Sequence, residues 1–209
     1  LNAAHRWWES ADPDVLTVLM ECRQETDYAQ HHVQKVLAFF LAMRSFAKER
    51  IADGHRVHYL PIDGPDAARP MLDVLRDLVM ACGASEVRFQ LPDEWRLDQL
   101  FQEAATSWPT ELGVEVHIDD TEHFLTSRTD LADHFRGKKQ YLMESFYRKM
   151  RKQHDVLMDA AGQPEGGKWN YDANNRKKLP KGHVPPAPRL WGRDVRPLLD
   201  SVHGEGVET

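Results

Sequence analysis

Apolar and polar positions change period repeatedly along the first 120 residues. Asp14-Val15-Leu16-Thr17-Val18-Leu19-Met20-Glu21 is a continuous apolar, β-branched run closed by a carboxylate, the pattern of a strand buried on both faces. From about Ala29 to Ala52 the apolar residues fall at Ala29, Val33, Val36, Leu37, Phe40, Met43, Ala47 and Ile51. Those steps of three and four lay one stripe of a helix on a sheet, and Gly54 is placed to close it. Arg56 to Ile62 reads as a second strand, Met71 to Cys82 as a helix ended by Gly83, and Glu86 to Leu91 as a third strand. Asp93 caps a helix through about Thr106, and Val114 to Ile118 is a fourth strand. Strands alternating with helices predict an α/β fold, a Rossmann-like open parallel sheet with flanking helices. About five strands are expected, the first of them missing, because Leu1-Asn2 leads straight into Trp7-Trp8.

After Asp120 the character changes. Leu142, Phe146, Met150 and Leu157 space out as a helix with Arg148, Lys149, Arg151 and Lys152 on its solvated side. Beyond Asp159 periodicity is lost, yet the segment carries Trp169, Tyr171 and Trp191, which a floppy linker rarely needs. It reads as an ordered connector wrapped over a surface.

Charge sharpens that division. Residues 1–136 hold 13 Lys and Arg against 24 Asp and Glu, a balance of −11; residues 137–196 hold 14 against 6, or +8; residues 197–209 add −3, which gives the net −6. Three parts are therefore expected: an α/β body over 1–136, a basic helix and interdomain linker over 137–196, and an acidic tail over 197–209 leading to a further domain. The basic block fits contact with nucleic acid, or equally with an acidic surface of its own chain. A mean hydropathy of −0.61 and the lack of any apolar run of roughly 18 residues argue against a membrane helix, and no signal-peptide pattern opens the chain. A cytoplasmic protein is the expectation. Cys22 and Cys82 are too few for a disulfide scaffold or a four-cysteine cluster.

Open parallel sheets bind ligands beyond the carboxyl ends of their strands, which here carry Glu21-Cys22-Arg23, Pro61-Ile62-Asp63, Leu91-Pro92-Asp93 and Asp119-Asp120. There is no G-x-G-x-x-G, P-loop or G-x-S-x-G elbow, so dinucleotide, phosphate-cradle and hydrolase readings lack their motifs. The histidines form no convincing metal set. Glu21, Tyr28, His32 and Lys35 would converge on one pocket at a strand end and helix start; His31 and His32 read equally well as surface or capping residues. Cys22 reads as an inert packing thiol.

Two blocks resemble a known family. Met20-Glu21-x3-Glu25-Thr26-x-Tyr28-x2-His31-His32-x2-Lys35 with Ala42-Met43-Arg44-x-Phe46-Ala47 is similar to the N-terminal domain of photolyase-related proteins, the iron–sulfur bacterial cryptochromes and prokaryotic (6-4) photolyases. Phe146-Tyr147-Arg148-Lys149-Met150-Arg151, then Gly166-Gly167-Lys168-Trp169-Asn170-Tyr171-Asp172-x2-Asn175-Arg176, resembles that family's linker. In the family a strand ending in Gly-Asp-Gln precedes the equivalent of Leu1.

The resemblance implies a division of labour. The α/β domain holds an antenna chromophore, a ribityl-lumazine, near Glu21, Tyr28, His32 and Lys35; Glu21 is expected to accept from ring N–H groups, Tyr28 to stack, and His32 or Lys35 to meet ring carbonyls or ribityl hydroxyls. Lys168, Trp169, Asn170, Tyr171, Asp172, Asn175 and Arg176 form the interdomain linker. FAD, a [4Fe–4S] cluster and damaged DNA belong to a C-terminal helical domain outside these residues, so no residue here is expected to be catalytic. The chain then reads as the front part of a longer light-harvesting repair enzyme or blue-light sensor. The alternative is a stand-alone module that binds nucleic acid through 137–196, with Arg148, Lys149, Arg151 and Lys152 on phosphates.

Overall fold

The computed structural model describes residues 1–190 and 192–209. It divides into two compact units, 1–124 with 192–209 and 125–191. Trp191, one of the three aromatics singled out in the connector, lies outside the described residues.

In the first unit a 3-10 turn at Arg6–Trp8 precedes strand β1 (Leu16–Met20) and a short helix α1 (Gln24–Asp27). Next come helix α2 (Val33–Ala52), strand β2 (Arg56–Leu60), helix α3 (Met71–Cys82), strand β3 (Glu86–Gln90), helix α4 (Trp95–Glu111) and strand β4 (Glu115–Asp119). All four expected strands form, and the fold is mixed α/β. They do not make one five-stranded sheet. β1 pairs with β2 and β3 with β4, both parallel, as two separate two-stranded sheets; β1 and β3 do not pair with each other, so each pair ends after two strands. The long helix starts at Val33 rather than Ala29, because His32 holds an extended backbone and its side chain accepts from the Gln34 N–H. That is N-cap geometry, and it stops the helix from running backward.

Two cores form. Val36, Leu37 and Phe40 of α2 pack with Ile62, Ala67, Leu198, Val202 and Val207. Phe89 of β3 packs with Ala104 and Trp108 of α4 and with Val114, and α3 adds Leu72, Leu75 and Val79. The segment expected as an acidic tail therefore folds back into the first unit. Helix α8 (Arg196–Gly204), eighth in chain order after three helices of the second unit, buries Leu198 and Val202 on one side. Arg23 donates to the Glu205 carbonyl at 2.8 Å, and Ser201 to Asp63 at 2.8 Å, which fastens this end to the loops after β1 and β2.

The chain's first residues are pinned as well. His5 is buried; its Nδ1 accepts from the Trp7 N–H at 3.1 Å, so Nε2–H is left to donate to the Asp120 carbonyl at 2.8 Å. Trp7 donates from Nε1 to Asp119 at 2.9 Å, and Trp8 packs edge-on against Phe46 and His55. Both tryptophans are packing groups.

The second unit contains helices α5 (Asp130–Phe135), α6 (Met143–Gln153) and α7 (Asp172–Asn175). It begins at residue 125 rather than 137, because Phe135 packs with Tyr141 and Phe146 and belongs with α6. Among the described residues no helix is long and apolar enough to cross a membrane.

Candidate functional site

Glu21 follows β1 directly and continues its ladder, its N–H donating to the Leu60 carbonyl at 2.8 Å. The side chain is buried and surrounded by donors. Arg44 makes a bidentate pair at 2.7 and 2.8 Å, the Ile62 N–H donates at 2.8 Å, and the Tyr59 hydroxyl donates to Oε1. Burial first, then the hydrogen bond and charge of Glu21, push the Tyr59 phenol far up; the Glu21 hydrogen bond holds the Arg44 guanidinium above its ordinary value against burial. Neither Tyr28, His32 nor Lys35 is among these partners. Its four bonds lock α2 to the ends of β1 and β2 and occupy the lone pairs with which Glu21 was expected to accept from a ligand N–H.

The other residues gather elsewhere at the carboxyl ends. α1 is a single turn that sets Glu25 and Tyr28 down beside the start of α4. The Tyr28 ring is 51% exposed, and the Arg96 guanidinium lies over it, 3.9 Å from the centroid. Arg96 also pairs with Glu25 Oε2 at 3.1 Å and Glu94 at 3.4 Å. Glu94 in turn caps α4, and the Arg96 and Leu97 N–H groups hold its carboxyl below the ordinary range. His31 meets Tyr28 edge-on at 5.0 Å, Lys35 Nζ lies 3.1 Å from His31 Nδ1, and Lys35 sits 6.0 Å from the exposed Phe39 ring. Glu25 Oε1 is buried and has no hydrogen-bond partner, an acceptor left without a donor. Cys22 beneath is buried; desolvation, then the Glu25 charge, pushes its thiol up to about 11, so it stays protonated and inert.

The site thus contains Tyr28 and Lys35 from the expected set, leaves His32 as a cap, and adds Glu25, His31, Phe39 and Arg96. Glu25 and His31 stand inside the motif already quoted. Arg96 follows the third strand's end, where the switch-point rule points. Chemically the cluster offers an aromatic face, two cations and a buried acceptor. Elsewhere in this unit Glu86, Glu115 and His117 bring donor atoms within 4.8 Å of one another, but all three are exposed and Arg88 contacts Glu86.

In the second unit the glycine–tryptophan block has a structural explanation. Gly166 and Gly167 both take φ of +71°, a conformation open to glycine. A Cβ on Gly166 would stand 2.2 Å from the Tyr171 hydroxyl, which donates to the Gly166 carbonyl at 3.0 Å. Arg151, expected on phosphate, is 5% exposed. It donates to the carbonyls of Val156 at 3.0 Å, Trp169 at 3.1 Å and Leu157, so its guanidinium ties the loop to α6. Arg148, Arg151 and Lys152 carry their charges 5.3, 5.3 and 5.4 Å from the Trp169 ring centre, within cation–π reach. Asn170 donates to Glu144, which also pairs with Arg148. Asp172 and Asn175 lie in α7; Lys168, Arg176, Lys149 and Lys152 are exposed.

The first unit is a parallel α/β unit with an aromatic and charged cluster at its strand ends, and the second unit is helical. The family model for deoxyribodipyrimidine photo-lyase-related proteins matches residues 1–209, and the chain belongs to that family. It is 35% identical over 187 residues to a (6-4) photolyase of Agrobacterium fabrum, covering 88% of this chain and 36% of that protein. It is also 30% identical over 88 residues to an uncharacterised protein of Acanthamoeba polyphaga mimivirus, covering 40% of this chain and 44% of that one. The chain therefore spans well under two thirds of either relative.

Proposed function

We propose that this chain is the light-harvesting part of a photolyase-like protein and binds a ribityl-lumazine at the Tyr28–Glu25–Arg96 cluster. The observation that carries the reading is the orphaned Glu25 Oε1 beside an exposed Tyr28 ring: a buried acceptor without a donor costs about 1–3 kcal/mol until a ligand N–H satisfies it. The residues fit the group. Tyr28 and Phe39 would stack, Glu25 would accept from the ring, and Arg96, His31 and Lys35 would meet carbonyls or ribityl hydroxyls. When bound, the chromophore would absorb light and pass the excitation on; the chain's part is to hold it in a fixed orientation.

Cys22 and Cys82 do not fit a four-cysteine [4Fe–4S] cluster, so that group and FAD are assigned to a C-terminal helical domain of the whole protein. That protein's action on damaged DNA, or its use in blue-light sensing, follows from the photolyase relative as part of the same proposal. The glycine–tryptophan block would join the two halves, the α/β unit would complete a five-stranded Rossmann-like sheet, and the protein would work in the cytoplasm.

Titrating the 209-residue chain with ribityl-lumazine tests the reading. We expect a shift of the chromophore's visible absorption, and binding weakened about tenfold by Tyr28→Ala, the scale of one aromatic contact. An unchanged spectrum overturns it. A second reading rests on the exposed Lys149 and Lys152 of α6: nucleic-acid binding through phosphates, which a steep loss of DNA affinity with salt would support.

A further inference from the structure

We propose that the outer edge of β2 and the neighbouring face of α2 form a groove that takes up an extended acidic peptide segment of a partner protein as an added strand. The edge follows from the ladder. Residues of a strand point their backbone groups alternately to its two sides. Glu21 donates to the Leu60 carbonyl in register with the β1–β2 pairs, so Arg56, His58 and Leu60 face β1 and Val57 and Tyr59 face outward. Among the described residues, the N–H and C=O groups of Val57 and Tyr59 have no partner. Such an edge is a template for another strand. Pro61, next in the outward series, has no N–H and its carbonyl accepts from Gly64, which confines the pairing to those two residues.

A cleft of about 400 Å³ lies beside this edge, lined by Arg44, Ala47, Lys48 and Ile51 of α2 and by Tyr59 and Pro61. The four helix residues fall one turn apart and make a stripe. Arg44, bonded to Glu21 after β1, stands at the carboxyl end of the strands, and Ile51, five residues before β2, stands at their start. Ala47 is buried, whereas Ile51 is 53% exposed and belongs to neither core.

Charge decides the partner. None of the residues lining the cleft is acidic. Lys48 is exposed and, among the described residues, has no ion pair or hydrogen bond. Arg44 turns Nε and Nη2 to Glu21 and leaves Nη1 out of that pair. Two cations at one end, an aliphatic side chain at the other and free backbone groups alongside complement an extended segment with a carboxylate and an aliphatic residue two positions apart. Both then point to the same side, separated by roughly 6.7 Å, close to the helical turn of about 5.4 Å along the α2 stripe. Main-chain bonds supply affinity in such a complex, and alternate side chains supply specificity. A small anion would meet the cations and leave the edge unpaired, and nucleic acid has no ladder groups to offer. The proposal stands without the lumazine reading.

Hydrogen exchange on the full-length protein, with and without the end-blocked peptide Ser-Asp-Thr-Val-Thr-Asp-Ser, tests the groove. The peptide reads the same in both directions, so it offers its aspartates and valine to α2 whichever way it runs. We expect the Val57 and Tyr59 amides to slow about tenfold on peptide addition, and those of Val116 and Ile118, on the outer edge of β4, to stay unchanged. The lysine version, Ser-Lys-Thr-Val-Thr-Lys-Ser, should have no effect. Lys48→Glu, on the exposed side of α2, should melt like the parent and weaken the response about tenfold or more. Val57→Pro removes one edge donor without touching the β1–β2 ladder and should abolish the response at Tyr59. No slowing, equal slowing with the lysine peptide, or slowing that survives Lys48→Glu overturns the proposal. Val57 and Tyr59 amides that are already slow before peptide is added would place another segment of the same protein on the edge. Protection that rises with protein concentration would place a second copy there. Either result also overturns it.

Discussion

Glu21 and Glu25 stand one helical turn apart after the same strand, and they have opposite surroundings. Glu21 receives four donors from three separate parts of the chain and is closed to solvent. Glu25 shares one oxygen with Arg96 and buries the other without a partner. A fully satisfied buried carboxylate holds a fold together, whereas a half-satisfied one is a cost carried in the ligand-free protein. The same strand end therefore builds a closed anchor and, four residues later, a half-satisfied carboxylate.

Removing the anchor should give the largest effect. Glu21→Ala leaves the Arg44 guanidinium, Tyr59 hydroxyl and Ile62 N–H facing an empty space. Breaking a buried pair costs about 3–5 kcal/mol, and the one-third exposure of the Arg44 side chain argues for the lower end. Thermal unfolding of the first unit should move down by roughly 6–12 °C. A shift under about 2 °C would show that the network is not what holds α2 to the strand ends.

Glu25→Gln should behave in the opposite way. It removes the charge that pairs with Arg96 and half of the acceptor capacity, so lumazine affinity should drop about tenfold or more, on the scale of a hydrogen bond to a charged group, while the melting temperature barely changes. Calorimetric titration beside a melting curve reads both. A variant that melts early but binds normally would reverse the roles assigned to the two glutamates.

The comparison also explains what could be read in advance. The four strands and α2, α3 and α4 were legible because each keeps one period over many residues. Helix α8 was not: Leu198, Leu199 and Val202 fall at helical spacing, but the stretch is short and its acidic charge made it look like a tail. Tyr28 and Lys35 were expected to converge with Glu21 and His32; in the fold they are linked through His31. The partners of Glu21 at residues 44, 59 and 62, and the approach of Arg96 to Glu25 across 71 positions, exist only in the folded chain. Arg151 could not be told from Lys149 or Lys152 by charge; only the loop's carbonyls distinguish it.

That loop is a second closed site and a smaller test. Gly166→Ala puts a side chain at positive φ and against the Tyr171 hydroxyl. The left-handed backbone alone costs about 1–2 kcal/mol, so protease cleavage between Gln163 and Tyr171 should become several times faster, with the first unit's melting unchanged. Equal cleavage of both proteins would mean that the Arg151 bonds hold the loop without the glycine turn.

The smallest effect belongs to Asp119, a carboxylate closed by the chain's own first residues. Burial tends to raise its pKa, but the Trp7 N–H, then Arg6 and Arg88, outweigh it and hold the group below its ordinary 3.8. A depressed carboxylate contributes stability that is complete above its unfolded value and disappears as the pH falls through the folded one. Asp119 should therefore add stability at neutral pH and lose it from about pH 5 downward. Asp119→Asn, which keeps the size and removes the titration, should lower stability slightly at pH 7 and flatten the acid slope. Parallel stability curves between pH 7 and pH 3 would show that Asn2 and His5, not Asp119, fasten the first residues to the end of β4.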